Sequence, residues 1–165
     1  MNDSSTYVRV YTWKGVSRML RQVWFSGIGV GQAAFEQVYP LFAYAGIEAT
    51  PHAHNLAMEV LTELGISGLV MLIVIMVLFA QNCFTFIRNA NGQQRMTVAA
   101  GLCGIVAALV MGLADNIWYN YRVFFGFWAL IALTVAYINA HRINGDFMHE
   151  RMSPNSAEIS LNIMD

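Results

Sequence analysis

The chain has 165 residues, of which 57% are hydrophobic and 12% charged, with a formal net charge of −1. That charge content is about half the ~25% typical of soluble domains, and the near-zero balance excludes a general nucleic-acid binder. The charges are also unevenly placed. None occurs from Leu64 through Ile87, from Met96 through Ala114, or from Val123 through His141. About 20 apolar residues cross a hydrocarbon core of ~30 Å, so the pattern predicts an all-α membrane protein with three transmembrane helices. They are expected within a region spanning residues 56–140, at 56–87, 96–114 and 123–140.

Residues 1–55 form a first, mixed polar and aromatic region. MNDSSTYVRV lacks the apolar stretch of a signal peptide. Val8, Tyr11, Val16, Met19, Leu20 and Val23 recur at helical spacing, while Lys14, Arg18 and Arg21 share a face. This predicts a basic amphipathic helix at the membrane interface, its cations on lipid head groups and its start capped from within Asp3–Thr6. GIGVG, with Gly27, Gly29 and Gly31, ends it. No strand precedes these glycines and their spacing is wrong for a dinucleotide fingerprint.

PHAHNLAMEVLTELGISG, residues 51–68, carries the chemistry. His54 and Asn55 stand just before a helix, and Gly65 and Gly68 follow about 15–20 Å further along it. His54-Asn55 is expected to cap the helix mouth, where the N-terminus also favours an anion. Gly65 and Gly68 are expected to let the helix backbone approach a neighbouring helix, as small residues do in membranes. Glu59 and Glu63, four apart on one face, read as a solvated outer turn or as a proton or sugar contact. His52 lies two residues from His54 in a loop and is expected to point elsewhere. No metal site is expected, because no third ligand beyond Glu59 has suitable spacing.

The connections RNANGQQR (88–95) and DNIWYNYR (115–122) are short and polar or aromatic. Trp118, Tyr119 and Tyr121 suit an interfacial belt. Asp115 and Arg122 flank the second connection and either pair with each other or bind sugar. Cys83 and Cys103 fall inside apolar spans and read as packing residues. Arg88 and Arg95 in one turn, with Arg142 and Arg151 in the tail, place the 88–95 turn and a polar tail, residues 141–165, in the cytoplasm. The tail reads as loop after Arg151. Residues 1–60 and 115–122 are then outside. Exporting residues 1–55 with Arg9, Lys14, Arg18 and Arg21 would require preceding spans. The chain is therefore expected to be the C-terminal part of a larger multi-span bundle.

His54-Asn55, nine residues, then Gly65-x-x-Gly68 resembles the signature of the O-antigen ligase and O-antigen polymerase-like membrane proteins. Arg9 four residues before Trp13, followed by GIGVGQAAF and a tyrosine-containing loop, resembles the upstream pattern of that family. The resemblance covers roughly residues 5–135, the C-terminal portion of a GT-C-like fold of about ten to twelve spans. It implies a glycosyltransferase that needs no cofactor or metal and moves glycan from an undecaprenyl-diphosphate carrier to an acceptor hydroxyl. Such a reaction belongs to lipopolysaccharide or polysaccharide biosynthesis, at the outer face of the cytoplasmic membrane.

By the same resemblance, Arg9 and His54 are the catalytic candidates; Asn55, Glu59, Asp115 and Arg122 are candidate substrate contacts by residue type and position. The family's other functional arginines lie upstream and have no counterpart here. The implied partners are therefore the lipid-linked glycan, membrane lipid, and upstream helices or another subunit. Against these readings, His54 would otherwise be an interfacial cap, Asn55 a structural cap and Arg9 a snorkelling cation. Two other functions compete: a membrane transporter of the type labelled bicarbonate transporter, and an inactive remnant. A transporter should show broken spans and ionisable groups near mid-membrane, and the sequence shows neither.

Overall fold

The computed structural model describes residues 4–151, and the side chains of residues 5–142. The described residues contain five α-helices and no strand: α1 Ser4–Val23, α2 Gln32–Val38, α3 Leu56–Asn89, α4 Gly92–Gly112 and α5 Tyr121–Arg151. Short 3-10 turns at Tyr39–Leu41 and Ile117–Tyr119 punctuate the loops. Three helices, α3, α4 and α5, are long and apolar enough to cross a membrane. The protein is an all-α membrane protein, as expected. The helix α5 continues through Arg151, past the expected boundary at residue 140. The expected loop beyond Arg151, and Asp3 as a possible cap, lie outside the described residues.

The spans form an antiparallel hairpin series. Asn91 caps α4 by accepting from Gln94 N–H at 3.1 Å, and Gln94 reaches back to Asn91 N–H. This capping box satisfies donors that helix ends otherwise leave unpaired. A core of Phe79, Cys83, Phe86, Val98, Ile105, Phe127 and Ile138 joins the three spans. The close helix approach is made by glycines of α4. A side chain at Gly101 would run into Thr134, one at Gly104 would meet Leu130 at 3.0 Å, and one at Gly112 would meet Leu56 at 3.1 Å.

Gly65 does not serve in the expected way. α3 is not continuous: Gly65 sits at φ 66°, ψ −167°, and breaks the helix. The break is filled by the loop after α1, not by a helix. Ile28 N–H donates to Thr62 O at 2.8 Å, Gly29 N–H to Glu63 O at 3.1 Å, and Ile66 N–H to Trp24 O at 2.8 Å. Backbone groups freed by the break are thus re-satisfied inside the protein, as an apolar surrounding requires. A Cβ on Gly65 would collide with the Phe25 carbonyl, and one on Gly27 (φ 70°) with the Glu63 carbonyl. Gly68 has only its own helix's Leu64 beside it. The expectation of unbroken spans is therefore corrected, though the break lies nine residues into a 34-residue helix, near its Leu56 end.

α1 packs on protein along its apolar face. Val16 and Met19 are fully buried with Phe35, Tyr39 and Ala53, and Gly15 leaves room for the Tyr39 ring. Arg18 lies over the Tyr44 ring at 4.0 Å and Lys14 over Tyr11 at 4.7 Å, cation–π contacts made within the chain. The α1–α2 layer therefore rests on the Leu56 end of α3, beside the turn that links α4 to α5.

Candidate active site

Three elements converge at this end. The loop before α3 carries His52 and His54, the α4–α5 turn carries Asp115, and α1 carries Arg9. Asn55 caps α3 by accepting from Met58 N–H at 3.0 Å, and its amide donates to Leu113 O at 2.7 Å. That second bond ties the mouth of α3 to the end of α4 and brings Asp115 beneath His54. Glu59 is buried and accepts from Ala53 N–H at 2.6 Å, so it shapes the same loop from below. From α1, Trp13 donates its indole N–H to His54 O at 3.2 Å. Trp13 stands one helical turn after Arg9, so both reach the same loop. The Arg9–Trp13 spacing thus has a local physical reason.

His54 has φ 50°, in the left-handed region, which is uncommon for a non-glycine residue. This backbone turn overturns the expectation that His52 points away. The two imidazoles lie 4.2 Å apart between centroids, and His54 N–H donates to His52 Nδ1 at 3.2 Å. On its other side, His52 packs on Tyr119 at 4.5 Å.

His54 Nδ1 lies 3.0 Å from Asp115 Oδ1, and Arg9 Nη2 lies 3.9 Å from Asp115 Oδ2. Partial burial pushes the Asp115 carboxyl up. The hydrogen bonds from His54 and from Asn116 N–H, together with the adjacent imidazoles, outweigh that and hold it below its ordinary value. Asp115, as an acceptor-only carboxylate, takes its hydrogen bond from Nδ1–H of His54, and in that tautomer of the neutral ring Nε2 is the accepting nitrogen. Burial lowers the His52 pKa, and His54 lowers it further, against a smaller opposing effect of Asp115.

Arg9 and His54 line a common pocket of about 250 Å³ with Ser5 and Val8. A separate pocket of about 290 Å³ runs past Glu59 and Glu63 to Trp118 and Tyr119. Glu63 accepts from Gly31 N–H at 2.8 Å. Among the described residues, His52, His54 and Asp115 offer metal-ligating atoms within 4.8 Å of one another. The third ligand thus comes from Asp115, a residue that spacing along the chain does not reveal. The Arg9 guanidinium on the same carboxylate adds positive charge where a cation would sit.

Of the sequence candidates, Arg9, His54 and Asp115 come together. Asn55 and Glu59 hold the loop that presents them. Arg122 is apart from the group, with its Nε donating to Tyr121 Oη at 3.2 Å, and the partner of Asp115 is Arg9 instead of Arg122. No curated protein matches the chain. A family model described as O-antigen ligase matches residues 1–73. The matched segment runs from α1 through Ile73 of α3 and contains Arg9, Trp13, His54, Asn55, Gly65 and Gly68, while Asp115 lies beyond it. Over this segment, less than half of the 165 residues, the chain is similar to the O-antigen ligase family.

Proposed function

We propose that the chain contributes to glycan transfer from an undecaprenyl-diphosphate carrier, at the outer surface of the cytoplasmic membrane. The observation that carries this reading is the pocket shared by Arg9 and His54. A guanidinium suits a diphosphate, which it can bind through two parallel N–H donors. The imidazole beside it offers Nε2 to an acceptor hydroxyl. The acceptor oxygen attacks the anomeric carbon, the bond from that carbon to the phosphate oxygen breaks, and the diphosphate leaves with the electron pair. The hydroxyl proton passes to Nε2 of His54, and Asp115 steadies the resulting imidazolium through Nδ1–H. Asp115 is a positioning residue in this scheme.

The interrupted α3 does not favour transport. Transporter sites built on broken helices lie near the bilayer midplane, whereas this break is close to one helix end and is plugged by the 24–29 loop. Glycan transfer is tested in nanodiscs loaded with a lipid-linked glycan and a lipid acceptor, with the chain alone or with the helices it assembles with. His54→Ala and Arg9→Ala should each slow transfer strongly at subsaturating carrier while leaving helical content intact. Full transfer by both variants would remove this reading.

A further inference from the structure

The second pocket has a chemistry opposite to the first. Glu59, Glu63, Asn116, Trp118, Tyr119 and Phe124 stand in its wall, and no Lys, Arg or His lines it. Two carboxylates with no cation disfavour a phosphate or a carboxylate ligand. They favour hydroxyl groups, which donate to a carboxylate and can also accept from a carboxylic acid. Trp118, Tyr119 and Phe124 add aromatic faces, on which the C–H faces of a pyranose can pack. Trp118 also supplies an unmet group: its buried indole N–H has no hydrogen-bond partner. Buried donors of this kind are almost always paired, because leaving one unmade is costly. At about 290 Å³, the pocket is at the small end of ligand sites, which run from ~300 Å³ upward.

We propose that this pocket is a subsite for one uncharged sugar ring, with hydroxyls meeting Glu59 and Glu63 and the ring resting on aromatic side chains. It adjoins the His54 group through shared neighbours. Asn116 follows Asp115, Pro51 precedes His52, and Tyr119 packs on His52. The two pockets share no lining residue, so the anion and the polyol have separate places. Its place in the transfer reaction rests on the reading given above; sugar binding itself does not. The electrostatics also set a specificity: a neutral hexose over a uronate, whose carboxylate would face Glu59 and Glu63.

The test uses the whole chain in nanodiscs, without any carrier, and the indole N–H resonances of its four tryptophans. Methyl glucoside should shift the Trp118 resonance, and glucuronate should shift it much less. By saturation-transfer measurement, Tyr119→Ala and Trp118→Phe should weaken glucoside binding about fivefold, the scale of one aromatic contact. No shift of Trp118 with methyl glucoside, equal shifts with glucuronate, or unchanged binding in both variants would each overturn the proposal. The wild-type titration requires no variant to fold, and Tyr119 is exposed. Sugar binding without glycan transfer would leave the subsite standing and remove the transfer reading, and transfer without sugar binding would do the reverse.

Discussion

His54 and Asp115 share a 3.0 Å hydrogen bond across 61 residues of chain, and the bond exists because Asn55 fastens the mouth of α3 to Leu113. If Asp115 fixes the tautomer of His54, then Asp115→Asn should lower the rate of glycan transfer by about 10²-fold. Helical content should be unchanged. A rate equal to wild type, measured under saturating carrier, would separate Asp115 from the chemistry.

The docking of the 24–29 loop into the α3 break depends on two glycines at positive φ. Gly27→Ala and Gly65→Ala each add backbone strain and a collision with a carbonyl of the other segment. Each should destabilise the α1–α3 contact by about 2 kcal/mol or more. Gly31→Ala, at φ 105° but in open space, should cost only the strain, about 1 kcal/mol. Thermal melts of the three variants, or proteolysis of the loop, should rank them in that order.

α4 and α5 approach at Gly101, where a side chain would strike Thr134. Gly101→Ala should lower the melting temperature, and Thr134→Ala in the same chain should recover most of the loss. The two substitutions touch one another, so their effects should be non-additive. Additive melting shifts would show that the helices do not meet there.

His52 titrates below its ordinary value of 6.5. The unfolded chain therefore takes up a proton first as the pH falls, and stability is lost on acidification through the window just below 6.5. Asp115, held below its ordinary 3.8, contributes stability that is lost only at lower pH. Between about pH 7.5 and 5, the melting temperature of the wild type should fall relative to that of His52→Gln. Identical slopes would mean that His52 is not held neutral by its surroundings.

Much of this architecture can be read directly in the sequence, because charge-free runs of about twenty residues have few other uses. The helix capped by Asn55 follows from residue types and local spacing, while Arg9 and His54, which share a pocket, stand out through resemblance to a family signature. The position of His52 does not, since a single left-handed backbone angle at His54 reverses its direction. Nor is the pairing of Asp115 with Arg9 legible: Arg122 is seven residues away in sequence, whereas Arg9 arrives only through the docking of α1. The role of Gly65 is local in cause but long-range in partner, because its break is filled by backbone groups from residues 24–29. The close-packing glycines of α4 had a visible signal, Gly101-x-x-Gly104 within an apolar run.

Division of labour between Arg9 and His54 is tested most directly by steady-state glycan transfer with varied carrier concentration. Arg9→Ala should raise the KM for the diphosphate-linked carrier while retaining measurable turnover, and His54→Ala should lower kcat with little change in that KM. Wild-type kcat in His54→Ala, together with wild-type KM in Arg9→Ala, would contradict the assignment of this pocket to glycan transfer.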